Sequence, residues 1–270
     1  MNFLRHVLFF GFFIWFTCSA LGQYISGARM AALSGSAIAS TDAAAGFHNF
    51  SSIANESHTS YMVYAQAPFG IMDIRDAGIG IFTKLGLGNA GLNYSNYGNS
   101  NFSRQQVKLG YAMKLSEKFN ASMQIGLSNT RIAGGYGHAS TVLSQVGMTY
   151  YVRKGWSWAL NGCVPASLLL NEEDIPARIQ LGTSYTFGKT FAMFASCTAS
   201  SSAVERIHYS FGAEYIPHEQ LFVRAGMNTF WQTWSFGIGT SFKSWKFDAS
   251  AVIHPQLGTT PQIGLVYEAH

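Results

Sequence analysis

Side chains able to do chemistry are sparse in this chain, and their placement limits what they can do. Asp, Glu, Lys and Arg make up 11% of its 270 residues, against roughly 25% in an average soluble domain. Lys108, Arg178, Arg206, Glu214, Arg224, Lys246 and Asp248 fall on the polar positions of segments that alternate polar and apolar. An isolated charge in a narrow interior is costly, so these groups are expected to pair as internal struts rather than line a substrate path. The histidines (His6, His48, His58, His138, His208, His218, His254, His270) are dispersed and match no metal-ligand spacing. No G-x-S-x-G, P-loop or H-E-x-x-H occurs. A lipase working in a membrane would need Ser and His together on a lipid-facing wall, and the apolar positions offer no such pair. Gly134-Gly135-Tyr136-Gly137 lies between alternating segments rather than before a helix, which removes a nucleotide reading. Cys163 and Cys197 read as separate small packing residues, without a disulfide or metal spacing. The net charge of +4 comes from scattered basic residues, so nucleic acid is not an expected partner. No cofactor and no metal is expected. The chain reads as non-enzymatic.

The elements that carry these residues follow one template. In QQVKLGYAMKL, Val107, Leu109, Tyr111, Met113 and Leu115 alternate with Gln106, Lys108, Gly110, Ala112 and Lys114. Ser116-Glu117 reverses the chain, and Phe119, Ala121, Met123, Ile125 and Leu127 carry the pattern back. Such period-2 alternation predicts strands with one apolar face. Fourteen segments qualify: 59–67, 76–84, 88–96, 105–115, 118–128, 141–153, 156–164, 177–187, 190–198, 206–216, 220–228, 233–242, 245–253 and 261–268. The links between them alternate, tight ones such as Lys154-Gly155 and Lys243-Ser244 against longer ones at 68–75, 97–104, 129–140, 165–176, 199–205, 229–232 and 254–260. Short turns at one end and longer loops at the other are the mark of an outer-membrane barrel, with both termini on the short-turn, periplasmic side. Trp156, Trp158, Tyr150, Phe187, Phe191, Phe242, Trp245 and Phe247 cluster beside the short turns, where an interfacial girdle belongs. Mean hydropathy is only +0.10 because alternating strands average out. The expected fold is all-β: a transmembrane, antiparallel, up-and-down barrel in the outer membrane of a Gram-negative bacterium, crossing many times.

Two stretches precede the barrel. Residues 1–22 read as a secretory signal, with Arg5 and His6 ahead of the apolar run Val7 to Phe16 and a small-x-small site before Gln23. Residues 23–58 are rich in Ala, Ser and Gly and lack alternation; they are small enough to tuck inside something narrow. Residues 59–270 form the barrel. Repeated inward glycines (Gly110, Gly126, Gly147, Gly182, Gly212, Gly226, Gly237, Gly239, Gly264) suit a wall that another backbone approaches closely.

The arm GARMAALSGSAIASTDAAAGFHNFSSIAN resembles the N-terminal signature of the FadL superfamily, where a Gly-Ala-Arg start and an Ala-rich, Asp-containing run lead into an Asn-Pro-Ala-Gly-Leu type motif. The end of the chain, SFKSWKFDASAVIHPQLGTTPQIGLVY, resembles the PorV/PorQ branch of Bacteroidetes, with His254, Leu257 and Gly258 at the positions of its His-x-x-Leu-Gly turn. This chain has His48-Asn49-Phe50-Ser51-Ser52-Ile53 where Asn-Pro-Ala-Gly-Leu is usual. The resemblance implies a lumen filled by an N-terminal hatch. The expected lumen and hatch contacts are Arg29, Asp42, Asn49, Arg178, Arg206, Glu214, Arg224 and Asp248. It also implies an accessory role in type IX secretion or surface attachment, with a secretion translocon or secreted cargo as partner beside outer-membrane lipid. The alternatives are a FadL-like channel for uptake of a small hydrophobic ligand, and a plugged structural barrel without transport.

Overall fold

The computed structural model describes residues 25–135, 137–166, 175–202 and 207–269. The expected signal segment, residues 1–22, lies outside them. The strands are β1 (Thr59–Gln66), β2 (Arg75–Leu85), β3 (Gly88–Gly98), β4 (Phe102–Ser116), β5 (Phe119–Ile132), β6 (Gly137–Arg153), β7 (Trp156–Pro165), β8 (Arg178–Phe187), β9 (Phe191–Ser200), β10 (Ile207–His218), β11 (Leu221–Asn228), β12 (Thr233–Phe242), β13 (Trp245–His254) and β14 (Gly258–Ala269). Each pairs antiparallel with its sequence neighbours, and β1 meets β14 from Thr59↔Ala269 to Gln66↔Gln262, closing a fourteen-stranded barrel.

Alternation sets which way each side chain points. Leu109 and Ile125, cross-strand partners on β4 and β5, are 58% and 54% exposed on the outer wall. Their neighbours Gly110 and Gln124 are buried inward. Large apolar side chains remain exposed on the outside of strand after strand, from Val63 to Ile263. No soluble protein shows water an apolar surface so continuous. Lipid covers it, and the closed ladder leaves no strand edge unpaired in hydrocarbon. This is a multi-pass outer-membrane barrel. Trp156, Tyr185, Phe187 and Phe191 form a chain of ring contacts near the short turns, and Trp245 packs on Tyr267 at 4.5 Å.

Three outer connections are tighter than the sequence suggests. The β3–β4, β5–β6 and β13–β14 links are 99–101, 133–136 and 255–257, because β4, β5, β6 and β14 run beyond the alternating region. Outside the membrane both faces of a strand meet water, so the ladder continues after the polarity pattern has faded.

Residues 25–58 fill the lumen. Helix α1 (Ala28–Ala32) is followed by three 3-10 turns, Ala37–Ala39, Ala43–Phe47 and Phe50–Asn55. Left-handed Ser34 and Gly35 (φ 51° and 73°) end α1, and the Gly35 amide donates to the Met30 carbonyl at 2.9 Å. Asp42 caps the second turn through the Ala45 amide (3.2 Å), and Asn49 caps the third through the Ser51 amide (3.2 Å). The hatch packs in two apolar clusters. Met30, Leu33 and Ile38 meet Ala159, Ala192 and Phe194 in one. In the other, Phe50 and Ile53 meet Met62, Tyr64 and Phe82. A Cβ on Gly182 would strike Ile38, and one on Gly237 would strike Ala32. These wall glycines let the hatch backbone sit against the sheet.

Candidate functional site

The hatch divides the lumen into a periplasmic half and an external half. On the periplasmic side Arg29 of α1 meets Asp42 at 2.8 Å and Glu214 of β10 at 3.4 Å. Arg224 of β11 then bridges Glu214 to Asp248 of β13. The pairing follows from register, since Glu214 lies directly opposite Arg224, and Gly239 between Arg224 and Asp248 leaves room for their side chains to join. Lys246 and Glu268 add a further pair beside a cavity of about 220 Å³. Burial pushes the Asp42 carboxyl up, but Arg29 beside it and the Ser40 hydroxyl that donates to it carry it below the usual carboxylate range. Two cations thus hold three carboxylates, and removing one cation leaves carboxylates buried without a counter-charge.

On the neutral side the wall holds the hatch by its carbonyls. Gln145 and Asn161 both donate to the His48 carbonyl, at 2.9 and 2.7 Å. Ser157 donates to the Ala39 carbonyl at 2.9 Å, Gln180 to the Gly35 carbonyl at 3.1 Å and Asn89 to the Ile53 carbonyl at 2.8 Å. Within the hatch, Asn49 donates to the Ile38 carbonyl (3.0 Å). The His48 ring meets the Ser26 carbonyl through Nε2 at 2.8 Å, so that nitrogen carries the proton. Burial, with Lys108 nearby, lowers its pKa to about 4. His48 is neutral.

Above the hatch lies a vestibule of about 260 Å³. Ile25, Phe47 and His48 form its floor, and Arg104, Lys108 and Arg178 reach it from the wall. Asp76 is the acid among its described lining residues and accepts from the Tyr64 hydroxyl (3.3 Å) and from Gln66. Lys108 donates to Gln145 at 3.4 Å, tying the vestibule to the residue that holds the His48 carbonyl. Trp231, from the β11–β12 link, is buried, and its amide and that of Phe230 both donate to the Asn228 side chain.

The structure therefore brings Arg29, Asp42, Glu214, Arg224 and Asp248 together as one network. It separates Arg178, which faces the vestibule, and Asn49, which organises the hatch core. Arg206 lies outside the described residues. His254, Leu257 and Gly258 belong to the β13–β14 turn: His254 Nδ1 accepts from the Gln256 and Leu257 amides (both 3.2 Å), and Gly258 takes φ +98°. The alternation pattern marks neither Arg104 nor Trp231. Arg104 sits just ahead of the alternating run 105–115, and for Trp231 the available signal is two aromatics in a four-residue link, which suits inward packing. Among the described residues no three His, Cys, Asp or Glu side chains could hold a metal ion.

No protein-family model matches the chain, and no curated protein matches it by sequence. Solved structures do match by fold. The toluene transporter TodX of Pseudomonas putida superposes with a TM-score of 0.67 at 10% identity, over 93% of this chain and 99% of that one. A FadL homologue of Pseudomonas aeruginosa gives 0.67 at 9% identity, over 93% and 100%. The CymD monoaromatic hydrocarbon channel gives 0.54 at 10% identity, over 93% and 95%. The chain has the fold of the FadL-like outer-membrane barrels.

Proposed function

We propose that this barrel is an uptake channel for small, largely apolar compounds that carry a polar or anionic group. The vestibule carries this reading. It sits on the external face of the hatch and combines an apolar floor with Arg104, Lys108 and Arg178 against Asp76. Such a lining suits an apolar body with one polar end. The fold shared with a toluene transporter and a monoaromatic hydrocarbon channel supports the same direction. The reading is non-enzymatic, and the chain's part is to bind, select and release. The test is uptake of a radiolabelled aromatic carboxylate, beside toluene, by porin-deficient cells with and without the barrel. Equal uptake in the two strains would end this reading.

A second reading is an accessory barrel of PorV/PorQ type in type IX secretion or surface attachment. It is favoured by the hatch being held from β3, β6, β7, β8, β10 and β12, which suits a fixed plug better than a moving gate. The turn at His254, Leu257 and Gly258 points the same way. A mild-detergent pull-down from native membranes, read by mass spectrometry, separates the two readings. Translocon subunits or secreted cargo in the eluate support the accessory role, whereas a solitary barrel supports transport.

A further inference from the structure

The outer wall carries a depression that neither reading uses. One ladder row crosses the sheet from Arg153 through Trp156 and Tyr185 to Met193, Ala213 and Ala225. In the adjacent row Thr183 faces Ala195. Much of the belt is built from Leu, Ile, Val, Met and aromatic side chains, whereas Thr183, Ala195, Ala213 and Ala225 are among the outward residues here. The result is a trough of about 790 Å³, with Phe211, Trp234 and Phe236 along its far rim.

The two ends of the trough differ in chemistry. Barrel strands tilt by roughly 40° to the axis, so a row at right angles to them climbs from the membrane edge toward the bilayer interior. At the low end, beside the β6–β7 turn, the Arg153 guanidinium lies 5.8 Å from the Trp156 ring centroid and 5.5 Å from that of Tyr185. It also donates to the Tyr185 hydroxyl at 3.1 Å. Lys154 and Lys189 stand exposed in the neighbouring short turns, with Glu219 as the acid of the next turn along. No carboxylate pairs with Arg153 among the described residues. The high end is apolar throughout.

We propose that this trough is a binding site for an anionic phospholipid of the periplasmic leaflet. Arg153, flanked by the two rings, takes the phosphate, and one acyl chain lies over Ala213 and Ala225. A guanidinium presents several donors to a phosphate in a fixed plane. Its position at the headgroup level, above an apolar channel that faces hydrocarbon, matches a molecule with an anion at one end and a chain at the other. The basic turns disfavour a neutral headgroup as the preferred occupant.

The test uses the full chain folded into nanodiscs of phosphatidylethanolamine with a minor fraction of phosphatidylglycerol, then released into mild detergent for native mass spectrometry. The wild type is expected to retain one phospholipid, enriched in phosphatidylglycerol over the nanodisc composition. Filling the trough with Ala213→Leu and Ala225→Leu should cut retention on the order of tenfold, the equivalent of about 1.4 kcal/mol. Arg153→Gln should abolish the enrichment while some lipid remains. Leu109→Ala on the opposite wall should change neither. Heat-modified mobility on gels verifies that each variant is folded. A folded wild type that retains no phospholipid overturns the proposal, as does retention unchanged by the filled trough. A photoreactive residue at position 213 that crosslinks to another polypeptide rather than to lipid overturns it too.

Discussion

The hatch is gripped in two different ways on its two sides. Toward β10–β13 the grip is ionic, with few groups, and Arg29, Arg224 and Glu214 each hold more than one partner. Toward β3–β8 it is neutral, with amide and hydroxyl side chains reaching single backbone carbonyls or, for Asn89, two. An ionic grip is all or nothing, because losing one member leaves the others charged in a confined space. A neutral grip degrades by degrees, since each lost bond costs roughly 1 kcal/mol. The difference separates a pivot from a latch: the charged side is suited to staying put, the neutral side to letting go.

Removing Arg224 should have the largest effect. Arg224→Met leaves Glu214 and Asp248 facing each other, and a loss of about 3–5 kcal/mol is expected from a broken buried network, read as unfolding in urea from detergent micelles. If Arg224→Met together with Glu214→Leu and Asp248→Leu is no more stable than the single variant, the ionic description of this side fails. Next comes Gly237→Val, which drives side-chain atoms into Ala32 of α1. Overpacking of about 1–3 kcal/mol should expel the hatch while the barrel survives, and limited proteolysis of residues 25–58 would report it. On the neutral side, Asn161→Ala should cost about 1 kcal/mol, because Gln145 still serves the His48 carbonyl. Gln145→Ala added to it should cost more than the sum of the singles, by double-mutant cycle.

The smallest effect is the most discriminating. His48 has its folded pKa held at about 4, below the ordinary value of 6.5. Its unfolded form therefore binds protons first, and the stability it lends is present above 6.5 and lost as pH falls toward 4. Asp42 is also depressed, so its contribution disappears only below the ordinary carboxylate range. Acidification from pH 7 to pH 5.5 should accordingly loosen the neutral side alone, by about 1 kcal/mol, seen as faster hydrogen exchange near residues 45–55 but not near Arg29. His48→Gln should abolish that dependence. Simultaneous loosening of both sides would erase the distinction.

Much of the fold was legible because a strand between lipid and lumen must alternate. Leu109 and Ile125 could only point one way once Lys108 and Gln124 pointed the other. The strand ends were not legible, because Gly137 to Ser140 and Phe102 to Arg104 lie where both faces are wet. The smallness of the arm showed that it would fit a lumen, and Asp42 and Asn49 stood where caps belong. Which charges would meet was beyond the sequence. Glu214 finds Arg224 through a β10–β11 register set by a two-residue turn and a bulge between Tyr215 and His218, and nothing near Arg178 marks it for the vestibule instead. His254 shows the converse: the sequence marks a turn there, and its ring accepts the amides of that turn.

The position of the hatch ahead of β1 also bears on how the molecule is put together. α1 rests against β11–β14, and Arg29 reaches Glu214 across 185 positions of chain. Contacts so remote in sequence form slowly, since a long loop must close before they return anything. The hatch, made before any strand of the barrel, must therefore wait for the last strands before it has a surface to settle on. Until β14 finds β1, the sheet is a curved, open wall with the arm outside it or half in. Closing the seam and seating the arm become a single event, so a chain truncated within β13 or β14 is expected to lose the order of residues 25–58 as well.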